Sequence, residues 1–108
     1  MAQIVWSPRS LRDIDEIATY IAKDSLQYAK AQVSLFFFTV TILEKYPYRG
    51  RVVPEISIST IRQILCGHYR IIYEVFSNDE IGILTVHHQS RLLKNNVAVK
   101  RHLKKNRK

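Results

Sequence analysis

"IRQILCGHYRIIYEVFSNDEIGILTVHH" (61–88) decides the fold. It holds three runs rich in β-branched and aromatic residues, IRQILC (61–66), YRIIYEVF (69–76) and EIGILTVHH (80–88), which are strand signals. Gly67-His68 and Asn78-Asp79 separate them. A glycine first in a two-residue loop suits a hairpin turn, and Asn or Asp tolerates positive φ. The stretch therefore predicts a three-stranded antiparallel meander. Two-residue turns also set the register, with Cys66 opposite Tyr69 and Ser77 opposite Glu80. Ile64, Ile71 and Val86 then form one row, and Arg62, Tyr73 and Leu84 the next on the same mostly apolar face. Leu65, Arg70 and His87 form a row on the other face, followed by Gln63, Ile72 and Thr85. The first face is expected to pack on helices. Arg70 and His87 are expected as cross-strand neighbours outside the core, with His88 pointing the other way beside Tyr69 and Cys66.

Upstream, QIVW (3–6) suits a first strand. Ser7 then Pro8 is a helix start, since a hydroxyl can cap a free N–H and Pro is tolerated at the first helical position. Leu11, Ile14, Ile17, Ala18 and Ile21 follow at helical spacing. Lys23-Asp24-Ser25 breaks the pattern and can cap a second helix, whose apolar stripe is Ala29, Val33, Phe36, Phe37, Val40 and Leu43. Pro47 and Gly50 end it. "GRVVPEIS" (50–57) is expected to be irregular or an edge, because Pro54 cannot donate to a ladder. The predicted class is α+β: an N-terminal strand, an antiparallel helix hairpin, then the meander.

A length of 108 residues suits one domain. Apolar content of 46% argues against wholesale disorder. One cysteine, Cys66, cannot form an internal disulfide and fits a reducing, cytoplasmic setting. The N-terminus has no apolar signal-peptide region. The run 33–43 is short of the ~20 residues that span a bilayer, so no membrane role is expected. The net charge is +8, and its placement is uneven: residues 1–90 carry as many acids as bases, whereas residues 91–108 carry only bases. Residues 1–95 are therefore expected to form the domain and 96–108 a basic tail. Such a tail is either an arm for nucleic acid or an acidic protein, or a solvated terminus.

The order of these pieces, with WSPRSLRDIDEIATYI (6–21), P-x-x-GR-x-VPE (47–55), IRQILCGHYRIIYEV (61–75) and ILTVHHQSR (83–91), resembles the RelE/ParE superfamily of bacterial toxins from type II toxin–antitoxin modules. The resemblance covers nearly the whole chain. It implies a growth-inhibiting toxin, of the kind tied to plasmid stabilisation, silenced by a cognate antitoxin. RelE-like members cut messenger RNA on the ribosome, and ParE-like members poison DNA gyrase. Arg70 matches an arginine of the RNA-cutting members. Their strand lysines fall at Ile61 and Gln63, their later arginine at Gln89 and their tyrosine near Asn95, so only the first feature is kept. The GR-x-VPE and VHHQSR tracts look closer to the ParE branch. The resemblance therefore implies gyrase poisoning by a non-enzyme. The alternatives are a ribosome-dependent mRNA endoribonuclease and a weakly toxic, antitoxin-bound DNA-regulating complex.

RNA cleavage through 2′-hydroxyl attack needs a base, a cation for the charged intermediate and an acid for the leaving oxygen. Arg70 and His87 are the catalytic candidates if the chain is a nuclease, because histidine titrates near neutrality. The other reading of Arg70 is a structural arginine or an antitoxin contact. Gln63, Gln89, Arg91, Lys94, Lys100, Arg101, Lys104 and Lys105 are binding candidates. Arg51, Glu55 and Arg62 are expected to be structural, with Glu55 a possible partner for Arg62, whose charge on the helix-packed face needs one. No Cys/His spacing supports a metal, and no glycine-rich loop supports a nucleotide cofactor.

Overall fold

The computed structural model describes residues 1–102. The elements run β1 (Gln3–Trp6), α1 (Pro8–Ala22), α2 (Leu26–Thr39), α3 (Ile42–Lys45), β2 (Arg51–Val52), β3 (Ile61–Cys66), β4 (Tyr69–Ser77) and β5 (Glu80–His88). This is the expected α+β order, with a one-turn helix added and the expected edge at 50–57 formed by the two residues of β2. The sheet order is β1-β5-β4-β3-β2, with β1 parallel to β5 and the remaining pairs antiparallel.

Both helix starts form as their residues dictate. The Ser7 hydroxyl accepts the Ser10 N–H at 3.0 Å, with Pro8 opening α1. The Ser25 hydroxyl accepts the Tyr28 N–H at 3.0 Å. Each contact satisfies one of the orphan donors of a helix N-terminus. Ile14, Phe36, Val40 and Leu43 from the helices meet Ile71, Tyr73, Val75, Ile81, Ile83 and Val86 from the sheet in the main core. Phe37 departs from the expected stripe: it is exposed and lies 4.7 Å from the Trp6 ring, centroid to centroid. Leu26–Lys45 spans 20 residues at a mean hydropathy of 1.2, enough by length and composition to cross a bilayer. The apolar run at 33–43 thus underestimated its extent. A tightened turn at residues 40–41 separates α2 from α3, and Phe36, Val40 and Leu43 seat this segment in the core.

The first hairpin has the expected register, Cys66 opposite Tyr69 through Ile61 opposite Glu74. Gly67 takes φ +60 in its turn, a conformation that costs glycine little. In the second hairpin Arg70 opposes His87 and Ser77 opposes Glu80 as expected, but two bulges shift the register between them. Tyr73 pairs with Ile83, not Leu84, and Leu84 packs on the opposite face. Asn78 and Asp79 do not adopt positive φ. Phe76 is the extra residue beside that turn, and a bulge supplies the added strand twist that the turn lacks.

The sheet face away from the helices is not bare. Val53 and Ile56 from the loop after β2, Ile61 and Ile72 from the sheet, and Leu93 and Val99 from the C-terminal segment form a second core. Residues 91–102, with 3₁₀ turns at Leu93–Asn95 and Lys100–His102, lie over this face as a strap. The packed body thus continues beyond residue 95, where the tail was expected to begin, because Asn96, Ala98 and Val99 are held against the sheet. His87, expected outside the core, is 7% exposed for the same reason.

Candidate functional site

Arg70 and His87 sit side by side on β4 and β5. The Arg70 guanidinium donates to both carboxylate oxygens of Glu55, at 2.9 and 2.8 Å, and its Nε donates to the Gln63 side-chain oxygen at 2.7 Å. Its side chain is 11% exposed. A bidentate pair of this kind fixes both groups and takes up the arginine's fork. The hydrogen bonds from Arg70 hold the Glu55 carboxyl below its usual range. Glu55 is therefore structural, as expected, but its partner is Arg70. Arg62 instead donates to the backbone carbonyls of Ser59 and Gly50, both at 2.9 Å, and of Tyr48, and lies 4.9 Å from the Tyr48 ring. Arg51 lies exposed on the short edge strand, opposite Gln63.

His87 is held through both ring nitrogens. Nε2 lies 3.0 Å from the Arg91 carbonyl oxygen, which can only accept, so Nε2 carries the proton and donates. Nδ1 then accepts from the Asn96 amide at 3.0 Å. The Asn96 amide also donates to the Thr85 hydroxyl at 3.1 Å, while its oxygen accepts the Ala98 N–H at 2.9 Å, which sets the amide's orientation. Thr85 donates to Asp13, which also accepts the Val86 N–H at 3.0 Å. The chain Asp13–Thr85–Asn96–His87–Arg91 thus joins α1, β5 and the strap, with every donor matched to an acceptor. Nothing in the sequence pointed to Asn96 or Thr85. The 3.7 Å Arg9–Asp13 ion pair, four residues apart on α1, has the only local signature in the set.

The remaining candidates are dispersed. Gln63 is committed to Arg70. Gln89 is exposed and donates to the Gly67 carbonyl at 3.3 Å. Arg91, Lys94 and Lys100 are exposed along the strap. The side chain of Arg101, together with Lys104 and Lys105, lies outside the described residues. His88 behaves as expected, with Nδ1 accepting the Ser90 N–H at 3.0 Å and its ring edge-on to Tyr69. A cleft of about 780 Å³ opens between α1, the end of β5 and the strap, lined in part by Arg9, Glu16, Tyr20, Tyr69, His88 and Arg91. Among the described residues no three His, Cys, Asp or Glu side chains are placed to hold a metal ion. The sheet face therefore offers a neutralised arginine and a histidine whose nitrogens are both engaged, and no unengaged cation, base and acid converging on one point.

Residues 4–93 match the family described as ParE toxin of the type II toxin–antitoxin system parDE. The chain is 34% identical over 86 residues to a putative toxin, Y4kP, of Sinorhizobium fredii, covering 80% of this chain and 86% of that one. It is 28% identical over 92 residues to the toxin RelE2 of Caulobacter vibrioides, covering 85% of this chain and all of that one. The fold resembles a chain of the chromosomal ParDE toxin–antitoxin system of P. aeruginosa, with a TM-score of 0.67 and 20% identity over 82% of this chain and 96% of that one. The chain belongs to the ParE toxin family of type II toxin–antitoxin systems, within the RelE/ParE superfamily.

Proposed function

We propose that this toxin arrests growth by binding DNA gyrase, not by cutting RNA, and that a cognate antitoxin holds it silent. The observation that carries the first part is the state of Arg70 and His87. The arginine that could stabilise a charged phosphate is paired with Glu55, and the histidine that could move a proton is buried with both nitrogens engaged. Arg70 is charge-paired and His87 is held inside the fold, which favours recognition of a protein target. The antitoxin part is supported by the apolar residues α2 leaves in solvent, Leu26, Leu35 and Phe38, the last 72% exposed. Leu35 and Phe38, three residues apart, are neighbours on that helix, and exposed apolar side chains placed together suit a partner surface.

Inducing the chain in cells, with and without its neighbouring antitoxin gene, tests this reading. The expected result is relaxed or broken DNA with intact transcripts, and relief of arrest when the antitoxin is co-expressed. Rapid loss of transcripts ahead of any change in DNA would favour the RNA-cutting alternative.

A further inference from the structure

The strap is two-sided. Its apolar side chains Leu93 and Val99 are buried on the sheet, and the Asn96 amide ties it to His87 and Thr85. That docking leaves Arg91, Lys94 and Lys100 exposed on an ordered segment. The first 90 residues balance acids and bases, and no acid occurs after them, so the molecule's whole excess of positive charge begins at this strap. We infer that the docked strap is a surface for the phosphate backbone of duplex DNA, engaged without reading base sequence.

Charge complementarity carries the choice of occupant: a linear, acid-free basic segment on a neutral body matches a linear polyanion. The choice of a duplex over single-stranded RNA rests on composition. Sequence-specific RNA recognition stacks unpaired bases on aromatic side chains, and residues 91–108 contain no Phe, Tyr or Trp. Among the described residues the strap presents no base-reading element either, since it has only single 3₁₀ turns and no longer helix to enter a groove. The inference goes beyond the gyrase reading and does not depend on it, because binding is measured with no gyrase present.

The test is fluorescence anisotropy of the purified full-length chain against a labelled duplex of about 20 base pairs, titrated from about 50 to 200 mM KCl, since backbone binding is steeply salt-dependent in that range. The expected result is sequence-independent affinity that falls steeply with salt. Lys94→Gln combined with Lys100→Gln should reduce the slope of log affinity against log salt by about 1.8, at about 0.9 per phosphate contact. The control pair Lys30→Gln and Lys45→Gln, on the helices, should leave the slope unchanged. Both side chains altered on the strap are exposed, and a melting curve confirms that the variant is folded. An unchanged slope in the strap variant, or an equal loss in the helix variant, would overturn the assignment. Displacement of the duplex by a lower concentration of single-stranded RNA than of unlabelled duplex would also overturn it and reassign the surface to RNA.

Discussion

Two residues carried the sequence argument for chemistry, Arg70 and His87, and both are engaged by their neighbours in the fold. Glu55 is stabilised as a carboxylate by Arg70, so its protonation is resisted in the folded state. A lowered folded value means the pair contributes fully above the unfolded carboxylate range, near pH 4.5, and the contribution fades as pH falls through the lowered value. Glu55→Gln should therefore flatten the acid limb of stability below the unfolded carboxylate range and change little near neutral pH beyond a uniform offset, measured by denaturant melts across pH. An unaltered acid limb would show that the pair is not coupled to folding. A second residue-scale test concerns Tyr73. Its buried hydroxyl accepts the Gly50 N–H at 2.8 Å, and burial pushes its phenol above the usual range. Tyr73→Phe strands that donor and should cost about 1–3 kcal/mol. Gly50→Ala should also destabilise, because a Cβ there would lie 2.5 Å from both the Gln63 carbonyl oxygen and the Tyr73 hydroxyl. The glycine of the quoted motif is thereby explained: it lets the backbone approach β3, and its carbonyl anchors Arg62.

At the scale of elements, turn chemistry made the first hairpin legible. Gly67 fixed the loop at two residues, and the period of two did the rest. The second hairpin was legible at its ends and not in its middle, because paired bulges cancel: Phe76 on one strand and Leu84 on the other each add a residue. No residue type marks such a pair in advance. The loop after β2 holds a second special conformation, Ser57 at φ 61, where a non-glycine residue is strained. Ser57→Gly should relieve that strain and leave stability equal or raised by up to about 1 kcal/mol, whereas Ser57→Val should lower it, by thermal melts. The strap is the element whose role changed most. A basic, thinly apolar segment resembles a free tail, and the buried positions of Leu93 and Val99 depend on a sheet face that only the tertiary fold creates. Deleting 96–108 removes Val99 and Asn96, and should lower stability by about 3 kcal/mol or more. A truncated chain with unaltered melting would show that the strap does not hold the outer face.

For the whole molecule, the fold and family were readable because strand, helix and turn signals agreed along the chain. The site was not, because exposure of Arg70 and His87 depends on what covers the sheet. Alternation places a side chain on a face and says nothing of a strap and loop laid over it. Once covered, the face has a paired arginine and a doubly bonded histidine, which supports the proposal of a toxin acting by binding. The measurement that tests this most directly is a supercoiling assay with purified gyrase, run beside a ribosome-bound mRNA cleavage assay with the same preparation. The account predicts that the chain inhibits supercoiling or traps cleaved DNA, that Arg70→Gln does so equally well wherever it is folded, and that the mRNA stays intact. Cleaved mRNA with unaffected gyrase, abolished by Arg70→Gln in a folded variant, would contradict it.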